Sequence, residues 1–491
     1  MEDKGLQDIL DKAKEREGEY DWISAVDLYQ KALGSVGKLD FSKSGETQER
    51  IGYCLYRGAF QAESQEEFKS RMLEAVEAYE KAAEVYEEVE HAKGLHCKAI
   101  ALYANSWTLI DASRKKAVLD DCGKLLKEAI KAFEEAGDRL GYGKACNDLS
   151  QCLLDRSYLE WDWTEKRRRL EEAIEHGQNA ISTLSKIGDE RELARAYIIT
   201  GSHSVDAGYG QLGEEKRKEF IQTALSFAEK ALELSRNTED KYFIARSKGL
   251  ATVTQFWFTG NLELSLKHVE EGLKHAKRIK DSFLIGYMHA DLAGIISLMM
   301  SGEEDPDRKR EGYERVMQSA EDAVQHLLVV CRFDWLVDVH SIYSEGYYYL
   351  ALEVETDPKE RRNLLERAIE VGRKGLEYAK ESGIPDIVAV RHSLSKALYS
   401  LSKMETQTTE KRRLLQEASQ HREKSITERE QKEPPFHYWN HGVNQNYAAL
   451  IKAEFATLEE SKEKKMSLLK EAVSHMEKCI ELCTKWTTIY P

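Results

Sequence analysis

The clearest chemical signal in this sequence is a set of cations at one repeated position. Lys144, Arg195 and Arg246 each stand six residues after an aspartate, in Asp138-RLGYGKACNDLS, Asp189-ERELARAYIITG and Asp240-KYFIARSKGLAT. The same phrase opens at Asp281, Asp334 and Asp386, and puts Tyr287, His340 and His392 at that position. Cations stacked on successive helices would form a ladder able to hold an acidic peptide, with charge speeding encounter and buried contacts setting affinity. The alternative is internal: each base pairs with an acid of the adjacent helix. The net charge of −15 already keeps the chain soluble, so a basic column calls for one of these two explanations.

Other residue sets point less clearly to chemistry. His437 and His441 in PPFHYWNHG have the i, i+4 spacing of two ligands on a helix face. No Glu follows His437 and no third ligand stands nearby, so packing by Phe436, Tyr438 and Trp439 is the plainer reading, and no metal or cofactor is expected. Cys479 and Cys483, one turn apart inside a helix, suit core positions better than a redox pair. Asp148 with Asp291, or His340 with Glu345, would act as acid and base only across separate repeats. Trp161, Trp163, Phe256, Trp257 and Phe258 cluster at hairpin tips, where packing explains aromatics more readily than a ligand cage does. The chain has no P-loop, no G-x-G-x-x-G after a strand and no G-x-S-x-G. It is read as non-enzymatic.

What must position these residues is a helical repeat. In Gly260–Asp281 the small residues Ser265, Gly272 and Ala276 alternate with Leu266, Val269, Leu273 and Ile279 at spacings of three and four. That places them on one helical face that a neighbouring helix can approach closely. The small–large–small pattern also occurs at Ala25-Tyr29-Ala32, Ala75-Tyr79-Ala82, Ala129-Phe133-Ala136, Ala173-Gly177-Ala180 and Ala224-Ala228-Ala231. It continues through Ala320-Val324-Leu327, Ala368-Gly372-Gly375, Ala418-Arg422-Ser425 and Ala472-Met476-Cys479. The copies lie roughly 40–55 residues apart, a solenoid period. Each aspartate phrase reads as the first helix of a hairpin, with Asp as N-cap.

Composition agrees. Charged residues make up 32% of the 491 positions, prolines number only 6, and no alternating Val/Ile/Thr run argues for a sheet. Basic runs such as Glu165-Lys-Arg-Arg-Arg169 and Glu410-Lys-Arg-Arg413 are flanked by acids and read as solvated starts of second helices. Gly34–Gln48 and Glu430–His437 are the main irregular connections. The acidic balance disfavours nucleic acid and anionic membranes. The acidic start MEDKGLQDIL is not a signal peptide, and Ile295–Met300 is too short an apolar run to span a bilayer. With 8 cysteines and no paired framework, reduced thiols in a cytoplasmic protein are expected.

The small–aromatic–small triad, with Gly-x-Tyr or Gly-Asn-Leu before it, resembles the tetratricopeptide repeat. The register Asp-x4-[Ala/Gly]-[Arg/Lys]-[Ala/Ser] in Asp189–Ala196 and Asp240–Ser247 resembles the Pins/LGN-type branch, whose repeats are longer than usual. The resemblance covers nearly the whole chain and implies a groove lined by an Arg after the small residue and an Asn further on. Lys144, Arg195 and Arg246 match the basic position. At the Asn position stand Asp148, Ile199, Leu250 and Asp291, with Asn147 one residue off.

The expected fold is all-α: a right-handed α-solenoid of about ten tetratricopeptide-like hairpins over residues 1–491 as one repeat domain. The expected function is a non-catalytic scaffold that binds a peptide or protein segment in its concave groove, at Lys144, Asn147, Arg195, Arg246, Tyr287, His340 and His392. Two alternatives remain open. The chain could be the sensor region of a larger signalling protein continuing beyond Pro491, or a solenoid that binds a small ligand.

Overall fold

Most of the repeated aspartates act as caps. Asp138, Asp240 and Asp281 accept backbone N–H groups from the first turn of the helices they precede, and Asp189 accepts from Glu192. Each cap satisfies donors that a helix start leaves open. The residue before each is left-handed: Gly137, Gly188, Glu239 and Lys280, with φ of 74, 81, 54 and 55°. This pair of residues turns the chain sharply out of one hairpin and starts the next. Glycine does so without strain. At Glu239 and Lys280 the same geometry costs about 1 kcal/mol.

The computed structural model describes residues 2–35, 41–160, 162–209, 214–384, 387–432 and 438–489. These form an all-α solenoid of helical hairpins. The first helices are α1 (Glu2–Gly18), α3 (Phe41–Ala59), α5 (His91–Ser106), α7 (Arg139–Tyr158), α9 (Glu190–Tyr209), α11 (Lys241–Thr254), α13 (Ser282–Ser301), α15 (Phe333–Tyr349), α17 (Val388–Met404) and α19 (Tyr438–Thr457). The second helices are α2 (Trp22–Ser35), α4 (Gln65–Glu87), α6 (Ala112–Ala136), α8 (Trp163–Ile187), α10 (Glu214–Asn237), α12 (Leu262–Arg278), α14 (Pro306–Val329), α16 (Pro358–Ser382), α18 (Thr408–Lys432) and α20 (Lys462–Ile489). Pro306 and Pro358 sit in first turns, where the missing N–H costs nothing. Gly34–Gln48 is less irregular than expected, because α3 already begins at Phe41.

Each helix packs on the next, and first helices also touch first helices of neighbouring hairpins, as α7 does α9 and α13 does α15. Small residues make the crossings close. A Cβ at Gly177 would stand 2.1 Å from Thr200 Oγ1, and one at Gly272 would stand 2.7 Å from Met288 Sδ. Ala25, Ala75, Ala129, Ala173, Ala224, Ala320, Ala368 and Ala418 are fully buried at the same position of their hairpins. The repeat unit is tetratricopeptide-like in this sense.

The basic runs that open second helices do more than face solvent. Arg362 donates to Glu405 (3.1 Å), Lys309 pairs with Glu353 (2.8 Å), Arg310 with Glu355 (3.0 Å), and Arg412 with Glu459. Each pair ties one hairpin to its successor. Helix α13 corrects the membrane reading in one respect: all 20 residues of Ser282–Ser301 together are long and apolar enough to span a bilayer. More than half of it is buried by packing against α11, α12, α14 and α15. The terminal α20 leaves Met466, Leu469, Val473 and Ile480 exposed.

Candidate functional site

The solenoid winds tightly enough for an early turn to close on a later one. Ser282 donates its backbone N–H to Phe60 O at 2.8 Å, and Gln61 Nε2 donates to Ile279 O at 2.8 Å and to Tyr20 O at 3.0 Å. Arg57 donates to Asp281 at 3.1 Å with both side chains buried, and Tyr20 donates its hydroxyl to Asp240 at 3.1 Å. Trp107 packs edge-on against Phe283, with ring centroids 5.3 Å apart, and Arg332 lies over both rings. The start of α13 is therefore held by α3 as well as by its own neighbours.

This seam borders a partly open cavity of about 950 Å³ on the inner side of the first helices. One helical stripe from each of them lines it: Lys144, Asp148, Gln151 and Asp155 on α7, and Arg195, Ser202 and Asp206 on α9. Arg246, Leu250 and Val253 continue it on α11, and Tyr287 and Asp291 on α13. The steps of three, four and seven along each helix keep these side chains on one face.

Much of the charge inside is already matched. Arg195 pairs with Asp148, which also lies 2.7 Å from His96 Nε2. Burial alone would raise the Asp148 carboxyl, but Arg195 and His96 hold it down to about 2. Arg332 donates twice to Asp334, whose carboxyl is likewise pulled to about 2 against the effect of burial. Arg246 is different. Its guanidinium donates to the Tyr242 hydroxyl at 3.0 Å, and Arg57 lies 3.7 Å from the centre of the same ring. Burial would raise the Tyr242 phenol, yet Arg246 and Arg57 bring it below its ordinary value.

The acids toward the other end have weaker partners, with Lys166 acting on Asp206 and Tyr287 on Asp291. Asp206 accepts the Tyr158 hydroxyl at 3.0 Å, and burial raises its carboxyl. Asp291 Oδ2 is buried without a hydrogen bond, and burial pushes this carboxyl up to about 7, with Tyr287 opposing. Tyr287 is in electrostatic contact with Asp291, Arg246 and Asp206.

Lys144, Arg195, Arg246 and Tyr287 thus reach the cavity together. Asn147, His340 and His392 do not. Asn147 is fully buried between α7 and α9, donating to Glu192 O at 3.1 Å. His340 is buried against Gly375 and Tyr378, its Nδ1 2.7 Å from Leu336 O, and burial depresses its imidazole. His392 lies 3.0 Å from Asn444 Oδ1 and 2.6 Å from Arg422 Nη1; burial, then Arg422, drives it well below its ordinary value.

The basic column ends at α11 because α13, though capped by Asp281, carries Tyr287 at that position, and beyond α13 the aspartate alignment slips. On α15 the left-handed residue is Cys331 and the cap is Arg332, so Asp334 lies inside the first turn. Six residues from that cap stands Asp338, which lines the cavity in His340's stead. On α17 the cap is Ile387, and Asp386 lies outside the described residues. His392 then takes the place of Gly286, facing its own hairpin partner.

Sequence reading set aside Asp148 and Asp291 as members of separate repeats; the winding brings separate repeats around one space. Asp155, Asp206 and Tyr158 were missed. Their signal was the stripe itself, about three and four turns beyond the basic position. Trp163 lines the cavity, whereas Trp161, His437 and the side chains of Trp257 and Phe258 lie outside the described residues. Among the described residues no cluster of His, Cys, Asp and Glu could hold a metal ion.

The chain matches no protein-family profile, and no curated protein is similar to it in sequence. Solved structures share its helical-repeat architecture. One is a signal-transduction ATPase with numerous domains, carrying a tetratricopeptide-repeat sensor, from Pyrococcus horikoshii. It is 17% identical with a TM-score of 0.48 over 80% of this chain, and the match spans about half of that protein, 52%. A Rap protein complexed with competence and sporulation factor is 12% identical, TM-score 0.42, over 82% of this chain and 99% of that one. Human IFIT1 with m7Gppp-AAAA is 12% identical, TM-score 0.42, over 91% of each chain. Likenesses at this level carry no argument about function, and nothing among them singles out the Pins/LGN-type branch.

Proposed function

We propose that this protein is a non-catalytic binding protein that takes a short peptide segment into its central cavity. The observation that carries this reading is the concave, partly open cavity of about 950 Å³, within the range of roughly 300–1,000 Å³ that specific ligand sites occupy. Its wall alternates aromatic faces with hydrogen-bonding and charged groups, which suits a peptide's mixture of apolar side chains and polar backbone. The volume suits a few residues.

Acids and bases line the cavity in near balance, so a purely acidic partner is not favoured. Asp148 and Asp334 are held as ion-pair members by arginine, which suits them to shaping the wall rather than moving protons.

Affinity selection from a randomised pentapeptide pool, read by mass spectrometry, tests this. The wild-type chain should retain a subset. Val253→Trp, which fills the lumen from α11, should retain none while keeping its helicity. Equal retention by both proteins would show that peptides bind elsewhere.

A further inference from the structure

Two groups of opposite character, Arg246 and Asp291, line the cavity without a direct ion pair among the described residues, Arg246 feeling only the more distant Asp281. Among the described residues Arg246 donates its one side-chain hydrogen bond to a tyrosine hydroxyl, and Asp291, which accepts a hydrogen bond from Tyr287, keeps Oδ2 without a partner. Tyr287 stands in electrostatic contact with both. The helices that carry them are close here, since a Cβ at Gly249 on α11 would stand 2.9 Å from Tyr287 Cε1 on α13. Arg246 and Asp291 are not themselves paired, although Arg195–Asp148, Arg57–Asp281 and Arg332–Asp334 in the same wall are. Leaving two opposite charges buried and unmatched is costly unless something supplies the complement.

We propose that the cavity selects a dipolar segment, whose carboxylate pairs with Arg246 and whose ammonium or guanidinium pairs with Asp291. This rests on the reading that the cavity takes a short peptide. A planar guanidinium donates two parallel bonds to a carboxylate, which fixes the orientation of that end. The cation at the other end gains both the Asp291 carboxylate and the aromatic surroundings of Tyr287 and Trp335, whose rings lie 5.0 Å apart edge-to-face. A segment with only one charge would leave the opposite wall group unmatched. Selection therefore comes from requiring both charges in one segment.

Four randomised pentapeptide pools with acetylated N-termini and amidated C-termini provide the test: one uncharged, one with a single Glu, one with a single Arg, and one with both. Retention by the wild-type chain should be at least about tenfold higher for the mixed pool than for either singly charged pool, the difference one added charge-assisted contact produces. Asp291→Asn should erase the advantage conferred by Arg and keep that conferred by Glu; Arg246→Gln should do the reverse. Equal retention of all four pools, or preference for the Glu-only pool, overturns the dipolar assignment while leaving peptide capture standing. Retention of no pool overturns both. An unchanged preference in Asp291→Asn, with wild-type helicity, shows that the cation sits elsewhere.

Discussion

The first helices α7 to α13 and the later pair α15 and α17 carry the same aspartate phrase but turn different faces inward. In the early group the sixth residue after the aspartate reaches the cavity; in the later pair it is packed inside the hairpin. The cause is local. Asp138, Asp189, Asp240 and Asp281 are caps, whereas Arg332 and Ile387 stand at the cap positions of α15 and α17. A shift of one or two residues rotates a helix by about 100–200°, enough to exchange a lining residue for a core one. Facing is set by the cap and the left-handed residue before it, not by the aspartate as such.

Breaking the seam that serves both groups should have the largest effect. Arg57→Ala leaves Asp281 buried without its ion pair and should cost about 3–5 kcal/mol. Denaturant melts would report the loss, and solution scattering should show a longer, more open particle. A stability change below about 1 kcal/mol would mean the seam does not hold the turns together.

Next comes the contrast between equivalent positions. His340→Glu forces a charge into packed surroundings and should cost on the order of 2–4 kcal/mol, whereas Lys144→Glu, facing the cavity, should stay within about 0.5 kcal/mol. Equal costs in thermal melts would erase the distinction between the two groups.

A smaller effect isolates Asp291. Its folded-state carboxyl is pushed up to about 7 by burial, above its ordinary value when unfolded. Between these values the folded chain holds a proton that the unfolded chain has released, so stability declines as pH rises through this window. Tyr287 faces the group and opposes the rise by hydrogen-bonding to it, and Tyr287 itself feels Arg246 and Asp206. Asp291→Asn removes the effect: it should be about 1–3 kcal/mol more stable than wild type at pH 8 and equal to it at pH 4. A variant less stable at pH 8 would mean the carboxylate is well solvated or paired.

The smallest change tests the joints. Lys280→Gly, at an exposed left-handed position, should add up to about 1 kcal/mol, offset in part by glycine's greater unfolded-state entropy. A loss of more than about 0.5 kcal/mol would show that the side chain matters more than the backbone strain.

The hairpin architecture was legible because small residues at spacings of three and four leave a direct trace of helix crossing. Lys144, Arg195, Arg246 and Tyr287 were legible because their caps are aspartates. His340 and His392 were misplaced because nothing local marks Cys331 as left-handed, and Arg332 is not a usual cap. The closure of Phe60 and Gln61 onto the α12–α13 joint was not legible at all. It depends on small rotations accumulated over several hairpins, which no single repeat encodes. Without that closure, Asp148, Asp206 and Asp291 looked like isolated acids.

The ion pairs that tie each second helix to the next hairpin, such as Arg373–Glu417 (2.7 Å) and Arg362–Glu405 (3.1 Å), are partly exposed, while the Arg57–Asp281 seam is not. Ions in solution screen the former over a Debye length of about 8–10 Å and hardly touch the latter. The molecule therefore has the mechanics of a coil spring clamped along a seam across its bore. Raising ionic strength softens the coils without releasing the clamp, so the pitch can breathe while the chain stays folded. A ligand spanning from α11 to α13 would then fix the rest length of that spring.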